Sequence, residues 1–502
     1  MSRAGLIDGN IHDDALVEAV HPADWAWPDP ADRYNLVVIG GGPAGLVAAF
    51  GAAGLGGRVA LVERGLLGGD CLNHGCVPSK AVLRVAHAAH AARDAARLGV
   101  AVGSVSVDFA AALDRMRQIR ADIGPHDSAA RLRDEGVDVF LGSGTFTGRD
   151  TLRVTGRGGQ QADLRFSKAL IATGARAALP PIPGLDTIGA RTNEQIFALT
   201  ALPPRLLVLG GGVIGCELAQ AFARMGSAVT LVERTERLLP REDADAARLV
   251  QEQLAADGVR LLLGHTIARF ERRGDARVAT LDSGEEVSAD EVLVAAGRRP
   301  NLDLGLDAAG VRSTARGVEV DDHLRTANPD IYAAGDVIGQ AAFTHAADHH
   351  ARIVLRNALF FGAARASALV IPRVTYTHPE IAAVGVGAAE AAARSDLTAY
   401  TVPMAETDRG RTDGESVGYC TVFADDKGRI HGATVVAEQA GELLAPLTLA
   451  LTHGLTLGQL ASTIHPYPTR SELIFKVASA YNRTRLTPTA QKLTRALLSW
   501  RR

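Results

Sequence analysis

At 502 residues the chain is too long for one ordinary core and is expected to fold as two to four domains. Its 47% hydrophobic and 22% charged residues are those of a globular protein, and a net charge of −3 with scattered Lys and Arg excludes the basic footprint of a nucleic-acid binder or a membrane-surface protein. Four cysteines exclude a secreted disulfide framework.

Residues 1–33 read as an N-terminal extension. They hold no apolar signal-peptide core, so a cytoplasmic location is expected. Asp13–Val20 predicts two helical turns, and the Pro-punctuated run His21–Pro30 predicts an extended segment whose Trp25 and Trp27 dock on the domain that follows. The charge-free stretch Asn35–Gly57 is long enough to suggest a membrane span. Its Pro43 and many glycines fit a strand–turn–helix better. Leu36–Ile39 is a β-rich run, Gly40-x-Gly42-x-x-Gly45 follows at once, and a small-residue helix leads to Val59–Val62 and Glu63. This is the βαβ dinucleotide fingerprint. The glycines permit a tight turn and close approach to a pyrophosphate, the helix end offers N–H groups to the anion, and the carboxylate accepts from ribose hydroxyls.

Leu67–Lys80 reads LGGDCLNHGCVPSK. From the residues alone, Cys71 and Cys76 are either a metal half-site, with His74 and His87 as further ligands, or a redox pair; the dinucleotide signatures on either side favour the second. Val82–Leu98 predicts an Ala-rich helix whose His87 and His90 lie on a solvated face, and Asp108–Arg133 a further helix. Ala169–Gly174 predicts a buried strand ending in a Thr-Gly turn, and the Pro-rich Pro180–Gly184 a domain boundary.

The fingerprint then recurs. Leu36–Arg64 aligns without a gap on Leu206–Arg234 with 14 of 29 positions identical, and Gly210, Gly212, Gly215 and Glu233 take the matching places. Two such units imply two dinucleotides and hydride transfer between them. Val259–Phe270 and Arg277–Val287 predict hairpins. Val292–Ala296 and Ile331–Gly335 predict strands ending at Gly297 and at Gly335-Asp336. From Ile371 the pattern becomes alternating strands with helices near Glu438–Leu451 and Arg470–Tyr481, and a basic tail, Arg483–Arg502, predicts a short helix or disorder. Cys216 and Cys420 read as small buried residues.

The order βαβ, GGxCxxxxCVPSK, ATG, βαβ, AAGRRPN, AAGD and an α+β domain resembles the flavin-dependent pyridine nucleotide–disulfide oxidoreductases over about Tyr34–Tyr481. That family includes dihydrolipoamide dehydrogenase, glutathione reductase and mercuric reductase. The resemblance implies an α/β fold with two Rossmann-like dinucleotide-binding domains and a C-terminal α+β dimerisation domain. The expected division is 1–33 extension, 34–184 and 297–369 FAD-binding, 185–296 NAD(P)-binding, 370–485 dimerisation and 486–502 tail. It implies FAD on Gly40, Gly42, Gly45, Glu63, Gly69, Asp70, Lys80, Gly144, Thr173, Gly174, Gly335, Asp336 and the loop Ala342, Phe343, Thr344 and His345, with Lys80 and Glu217 as an ion pair beside the flavin. It implies a nicotinamide cofactor on Gly210, Gly212, Gly215, Glu233 and Gly297. Glu233 accepts from a 2′-hydroxyl and repels a 2′-phosphate, which favours NADH, although Arg234 and Arg237 leave NADPH open.

The resemblance also implies a redox-active Cys71–Cys76 disulfide, with Cys76 facing the flavin and Cys71 as the outward thiolate that meets a small-molecule electron acceptor. A helix holds Cα atoms five apart at roughly 8–9 Å, and a disulfide needs roughly 4.4–6.8 Å. The backbone is therefore expected to break between the two cysteines, where Asn73, Gly75 and Pro78 tolerate it. Homodimers with sites shared between chains are implied, with no nucleic-acid or membrane partner and no metal ligands. The departures lie near the C-terminus. Thiol-specific members carry a His-Pro-T-x-x-Glu run; here His465–Glu472 reads HPYPTRSE, which places Tyr467 at the histidine position and His465 two residues early. Mercuric reductases carry a tyrosine there, so the resemblance shifts toward that branch. The last residues given, LLSWRR, hold no vicinal cysteine pair like the one that ends those enzymes, and no metal-binding domain is expected ahead of the fold. The expectation is a mercuric reductase-like oxidoreductase. Dihydrolipoamide dehydrogenase is the alternative, favoured by the YTHPE run, and a flavoprotein redox sensor or partner-binding subunit is the alternative of another class.

Overall fold

The computed structural model describes residues 5–340, 342–360 and 362–502. The first four residues of the expected extension, and Ala341 and Phe361 in the expected second FAD-binding part, lie outside the described residues. The chain packs into two compact units. One takes in residues up to Arg93, Val102–Arg234 and Val259–Leu369; the other takes in Asp94–Ala101, Thr235–Gly258 and Val370–Arg502.

The first unit opens with helix α1 (Ile11–Val20), two residues longer than its apolar pattern predicts because the Asn10 side chain caps it by accepting from the N–H groups of His12 and Asp13. Strand β1 (Tyr34–Ile39) is buried at all but one position, with parallel β2 (Val59–Glu63) on one side and the end of Gln161–Ile171 on the other. β3 (Val137–Leu141) forms the edge beyond β2, and Ile331–Ala333 pairs parallel with Gln161–Ile171. Parallel strands buried on both faces need the continuous apolar runs seen here. Trp25 and Trp27 donate from their indole N–H groups to the carbonyls of Val139 and Leu141 on the β3 edge, so the expected docking also covers an open sheet edge.

Helix α2 (Pro43–Gly54) follows β1 through a turn that only glycine allows. Gly40 has φ +108°, and a Cβ on Gly45 would lie 1.8 Å from the Gly40 carbonyl oxygen. The second fingerprint repeats this. Strand Arg205–Leu209 leads to helix Val213–Met225 and strand Ala228–Glu233, Gly210 has φ +110°, and a Cβ on Gly215 would lie 1.9 Å from the Gly210 oxygen. Both units therefore rest on one backbone solution.

Three sequence expectations are corrected. Val259–Phe270 is not a hairpin: Arg260–Leu263 is a parallel strand beside Ala228–Glu233, and the antiparallel partners are Ile267–Arg273 and Ala276–Leu281. Apolar alternation is the same in both settings, so the pattern could not separate them. Asp108–Arg133 is two helices, α5 (Phe109–Ile123, capped by Asp108) and Ala129–Asp134 (capped by Ser128), interrupted at Gly124-Pro125. The helix expected at Val82–Leu98 begins earlier, at Cys76, and ends at Asp94 before a tighter turn over Ala95–Leu98.

The second unit is built on a five-stranded antiparallel sheet in the order Arg373–Thr375, Glu380–Gly385, Ile430–Ala437, Tyr419–Ala424, Thr398–Pro403. Helices Ala440–Thr452 and Glu472–Thr484 contribute to its apolar core, as does the buried Cys420. Thr235–Gly258 joins this unit through Arg373–Glu242 and Thr434–Asp243 contacts. The tail forms a helix, Pro488–Trp500, started by Thr487 and a proline at its first turn, with no buried residue.

Gly45→Ala is expected to push α2 off β1 and to cost about 1–3 kcal/mol of stability. A thermal melt and the flavin-to-protein absorbance ratio of purified variant and parent check this; both should fall in the variant.

Candidate redox-active site

The stretch Leu67–Lys80 folds as two helices with a break. α3 (Gly69–Asn73) stops at His74, and α4 (Cys76–Asp94) starts at Cys76 itself. The expected interruption between the cysteines is therefore present. It frees carbonyls, and each freed carbonyl needs a donor. The Asn73 carbonyl accepts from Arg120 Nη1 (2.8 Å), and the His74 carbonyl from Asn193 Nδ2 (3.2 Å). The Asn73 side chain donates back to the carbonyls of Leu67 and Gly69. Asp70 is held by Asn193 (3.1 Å) and by Arg298 (3.2 Å).

Cys71 and Cys76 are both free thiols joined by a side-chain hydrogen bond. The Cys76 thiol is lowered to about 6, first by the hydrogen bond from Cys71, with Thr344 and the Lys80 cation adding, against burial, which opposes it. Its place at the start of a 19-residue helix acts in the same direction. Cys71 is pushed upward, by the same hydrogen bond and then by burial. One proton thus rests on Cys71 and the negative charge on Cys76. Cys76 is exposed and Cys71 half-buried.

Several separated sequence positions meet here. Thr344, at the start of helix Thr344–Leu359, lies 3.4 Å from Cys76 Sγ. His345 stacks on Phe343. Lys80 Nζ donates to Glu217 Oε2 at 2.9 Å, and Glu217 is buried. Arg298, which the sequence reading left out of the site, bridges Asp70 and Asp336 (3.7 Å). Its signal was the Gly-Arg-Arg-Pro-Asn run directly after a strand. In the same run Asn301 exchanges hydrogen bonds with Thr173, tying the ATG turn to it. Gly144 is buried within its strand under Leu152, two residues after Gly142, whose N–H donates to the Glu63 carbonyl.

The residues fit the expected dinucleotides. The first N–H groups of α2 lack intrahelical acceptors. Gly69 abuts Gly42 so closely that a Cβ on it would lie 2.7 Å from the Gly42 Cα. Glu63 ends β2, with its carboxylate fixed by the N–H groups of Gly41 (2.6 Å) and Gly65 (2.5 Å), and burial raises its pKa. Glu233 is held the same way by Gly211 N–H (2.6 Å), and a Cβ on Gly174, Gly212 or Gly297 would meet nothing within 4 Å. Arg237, a candidate for phosphate, spends its guanidinium on the carbonyls of Leu239, Pro240 and Glu242.

Residues 34–351 match the family model described as pyridine nucleotide-disulphide oxidoreductase, and residues 371–478 match its dimerisation domain. The chain belongs to this family. A mercuric reductase of Bacillus cereus is 34% identical over 446 residues, which are 88% of this chain and 70% of that one. Dihydrolipoyl dehydrogenase 2 of Haloarcula marismortui is 36% identical over 464 residues, 90% and 97% of the two chains. Among solved structures, the HOCl-induced flavoprotein disulfide reductase RclA from Escherichia coli matches with TM-score 0.80 and 29% identity over 89% of this chain and 99% of that one. LpdA from Mycobacterium tuberculosis matches with TM-score 0.82, at the same identity and coverage. This oxidoreductase is thus a flavin-dependent pyridine nucleotide–disulfide oxidoreductase with the family's dimerisation domain. Among the described residues no helix is long and apolar enough to cross a membrane, and no group of three His, Cys, Asp or Glu side chains is arranged to hold a metal.

The C-terminal run lies in the second unit. Tyr467 is 72% exposed, and its hydroxyl donates to Asp408 Oδ2 (3.1 Å). Glu472 does not face a histidine. It accepts from the Asp408 backbone N–H (3.0 Å) and pairs with Lys476 (3.0 Å). His465 lies against Phe475, and its Nε2 is buried without a hydrogen-bond partner. Arg470 anchors the run to Asp413 (3.2 Å), Glu438 (2.6 Å) and Glu415; Glu438 is raised to about 7 by its hydrogen bond with Glu415 and by burial.

The thiol asymmetry predicts a pH profile. Alkylation of Cys76 in the reduced protein is expected to fall by half as pH drops through about 6 and to be flat above pH 7. In Cys71→Ala the leading cause of the depression is gone, so the half-point should rise by about one pKa unit or more and the rate at pH 7 should fall by about half or more. Iodoacetamide labelling followed by mass spectrometry checks both.

Proposed function

We propose that this protein is a mercuric reductase-like enzyme that carries electrons from NAD(P)H to a soft electrophile, a disulfide or a thiol-bound metal ion, with Cys71 and Cys76 as the final donor. The single observation that carries this reading is the Tyr467–Asp408 pair. Asp408 accepts from the tyrosine hydroxyl and raises its pKa further above the ordinary value near 10, so Tyr467 stays protonated at neutral pH and acts as a hydrogen-bond donor. Oxidation of a dihydrolipoamide-type dithiol needs a base that removes thiol protons. Reduction of a soft electrophile removes no substrate proton, and the only proton to be lost is the one on Cys71. A relative named for mercury supports this branch, and the E. coli RclA is also solved as a Cu(II) complex.

When bound, FAD relays electrons from the hydride donor to the sulfur pair. The protein's own residues do the rest. Gly40, Gly42, Gly45 and Glu63 hold the adenosine half of FAD, with Asp336 and the Ala342–His345 loop on its other half. Lys80, fixed by buried Glu217, supplies positive charge beside Cys76. Cys71 bonds to one sulfur of a disulfide acceptor, or to the metal ion, as the acceptor's S–S or metal–thiolate bond breaks and the departing thiolate takes the Cys71 proton. Cys76 thiolate then attacks the Cys71 sulfur, the S–S bond forms, and the acceptor leaves with the electron pair. Tyr467 of the partner chain in a homodimer turns its one hydroxyl proton from Asp408 to the leaving group at this step. NADH is the favoured donor, since Glu233 carries the acceptor for a 2′-hydroxyl and Arg237 is committed to its own loop.

An NADH-oxidation screen over lipoamide, low-molecular-weight disulfides, Hg(II), Cu(II) and quinones tests this. Soft-metal or disulfide turnover that drops at least about 100-fold in Cys71→Ser supports the reading. Robust lipoamide turnover transfers the assignment to dihydrolipoamide dehydrogenase. Turnover indifferent to Cys71→Ser ends the proposal. Tyr467→Phe is expected to lower turnover about tenfold without moving its pH optimum, the share of one hydrogen bond. Glu233→Ala is expected to narrow the NADH-over-NADPH preference by a similar factor.

A further inference from the structure

The redox loop is braced from outside the family's matched region, which begins at residue 34. Asp13, in α1, is buried, and so are Arg117 and Arg120 of α5. Asp13 Oδ1 accepts from Arg120 Nη2 at 2.7 Å, and Asp13 Oδ2 lies 3.6 Å from Arg117 Nε and accepts from the Ile7 N–H at 2.8 Å. Arg120 passes this on. Its Nη1 donates to the Asn73 carbonyl at the break between the two cysteines, and to the Gly5 carbonyl at 3.4 Å. Gly5 in turn packs on His74: a Cβ there would lie 3.0 Å from His74 Nδ1. At the other end of the loop, the Leu67 N–H donates to the Val20 carbonyl at the close of α1 (3.3 Å). The arm thus touches the loop directly at Leu67 and His74 and reaches Asn73 through Arg120.

We infer that the N-terminal arm is a built-in positioning element for the thiol pair, with Asp13 acting through Arg120 to hold the Asn73 carbonyl and so keep the helix broken between Cys71 and Cys76. The reasoning is structural. Arg120 is fully buried, and such a cation stays in place only when a buried anion pairs with it. Asp13 is that anion. Without the Arg120 hydrogen bond the Asn73 carbonyl loses its donor, and α3 is free to continue into α4, which separates the sulfurs. Asp13 and Arg120 are positioning residues; neither touches the sulfurs. The inference rests on Cys71 and Cys76 being the redox pair.

The test is Asp13→Asn in the full-length, flavin-loaded protein, read by the pH profile of Cys76 alkylation and by the dithiol–disulfide equilibrium against glutathione. The expected result is a half-point above that of the parent and an equilibrium moved toward the dithiol by about tenfold, or ~30 mV. Trp27→Ala, which loosens the same arm at the β3 edge, should lower thermal stability and leave both thiol readouts in place. If Asp13→Asn does not fold, Asp13→Leu/Arg117→Met/Arg120→Met removes the buried anion together with both cations it faces and is read by the same criteria. Unchanged thiol readouts in whichever of these folds, or an equal shift in Trp27→Ala, overturn the inference. A parent protein whose two thiols do not form a disulfide at all overturns the functional reading instead, because these readouts need no turnover.

Discussion

A helix must stop after Asn73 and restart at Cys76, and the rest of the first unit is arranged around that requirement. An unbroken helix would carry the two sulfurs apart on different faces. A broken one brings them into hydrogen-bond contact, but leaves carbonyls without helical donors. Three side chains from far along the chain supply those donors or hold the loop beside them: Arg120, Asn193 and Arg298. Glycine does the rest. Gly68 and Gly69 take positive φ, and a Cβ on Gly75 would press within 3.0 Å of Asp70.

The break also creates the difference between the sulfurs. Because α4 restarts at Cys76, that sulfur gains the helix N-terminus, the Thr344 contact and the Lys80 cation. Cys71 remains in the short helix before it and keeps the shared proton. Two identical side chains five residues apart thus become a thiolate and a thiol through the break and the neighbours it brings to Cys76. Lys80 contributes only because Glu217 fixes it; a free lysine would put its charge in solvent.

What the sequence made legible follows physical locality. Both dinucleotide turns were readable because Gly40, Gly45, Gly210 and Gly215 meet steric demands that no other residue satisfies, whatever surrounds them. The cysteine pair and the helix break were readable for the same reason. The braces were not. Asp13 and Arg120 are 107 residues apart, and Lys80 could be paired with Glu217, 137 residues away, only by resemblance. A trace of the arm's role was present: Arg120 continues the apolar stripe of Leu113 and Met116 on α5, and an arginine on a buried stripe requires a buried anion. Val259–Phe270 was misread because period-2 alternation reports half-burial and not the direction of the partner strand.

The departure at Tyr467 is a change of hydrogen-bond direction more than a missing part. Glu472, which in thiol-specific relatives belongs to the His-Pro-T-x-x-Glu run, here fixes the Asp408 backbone, and the Asp408 side chain then takes the tyrosine proton's hydrogen bond. Arg470 pins the same run through three carboxylates, and Glu438 among them carries a proton near neutrality. The carboxylates of this region are thus spent on holding a donor in place, and none makes Tyr467 a base. A histidine in that position would exchange protons with substrate thiols in either direction. A tyrosine held protonated favours one direction, in which electrons leave a thiolate for an acceptor and the only proton to be lost is the one shared between two sulfurs.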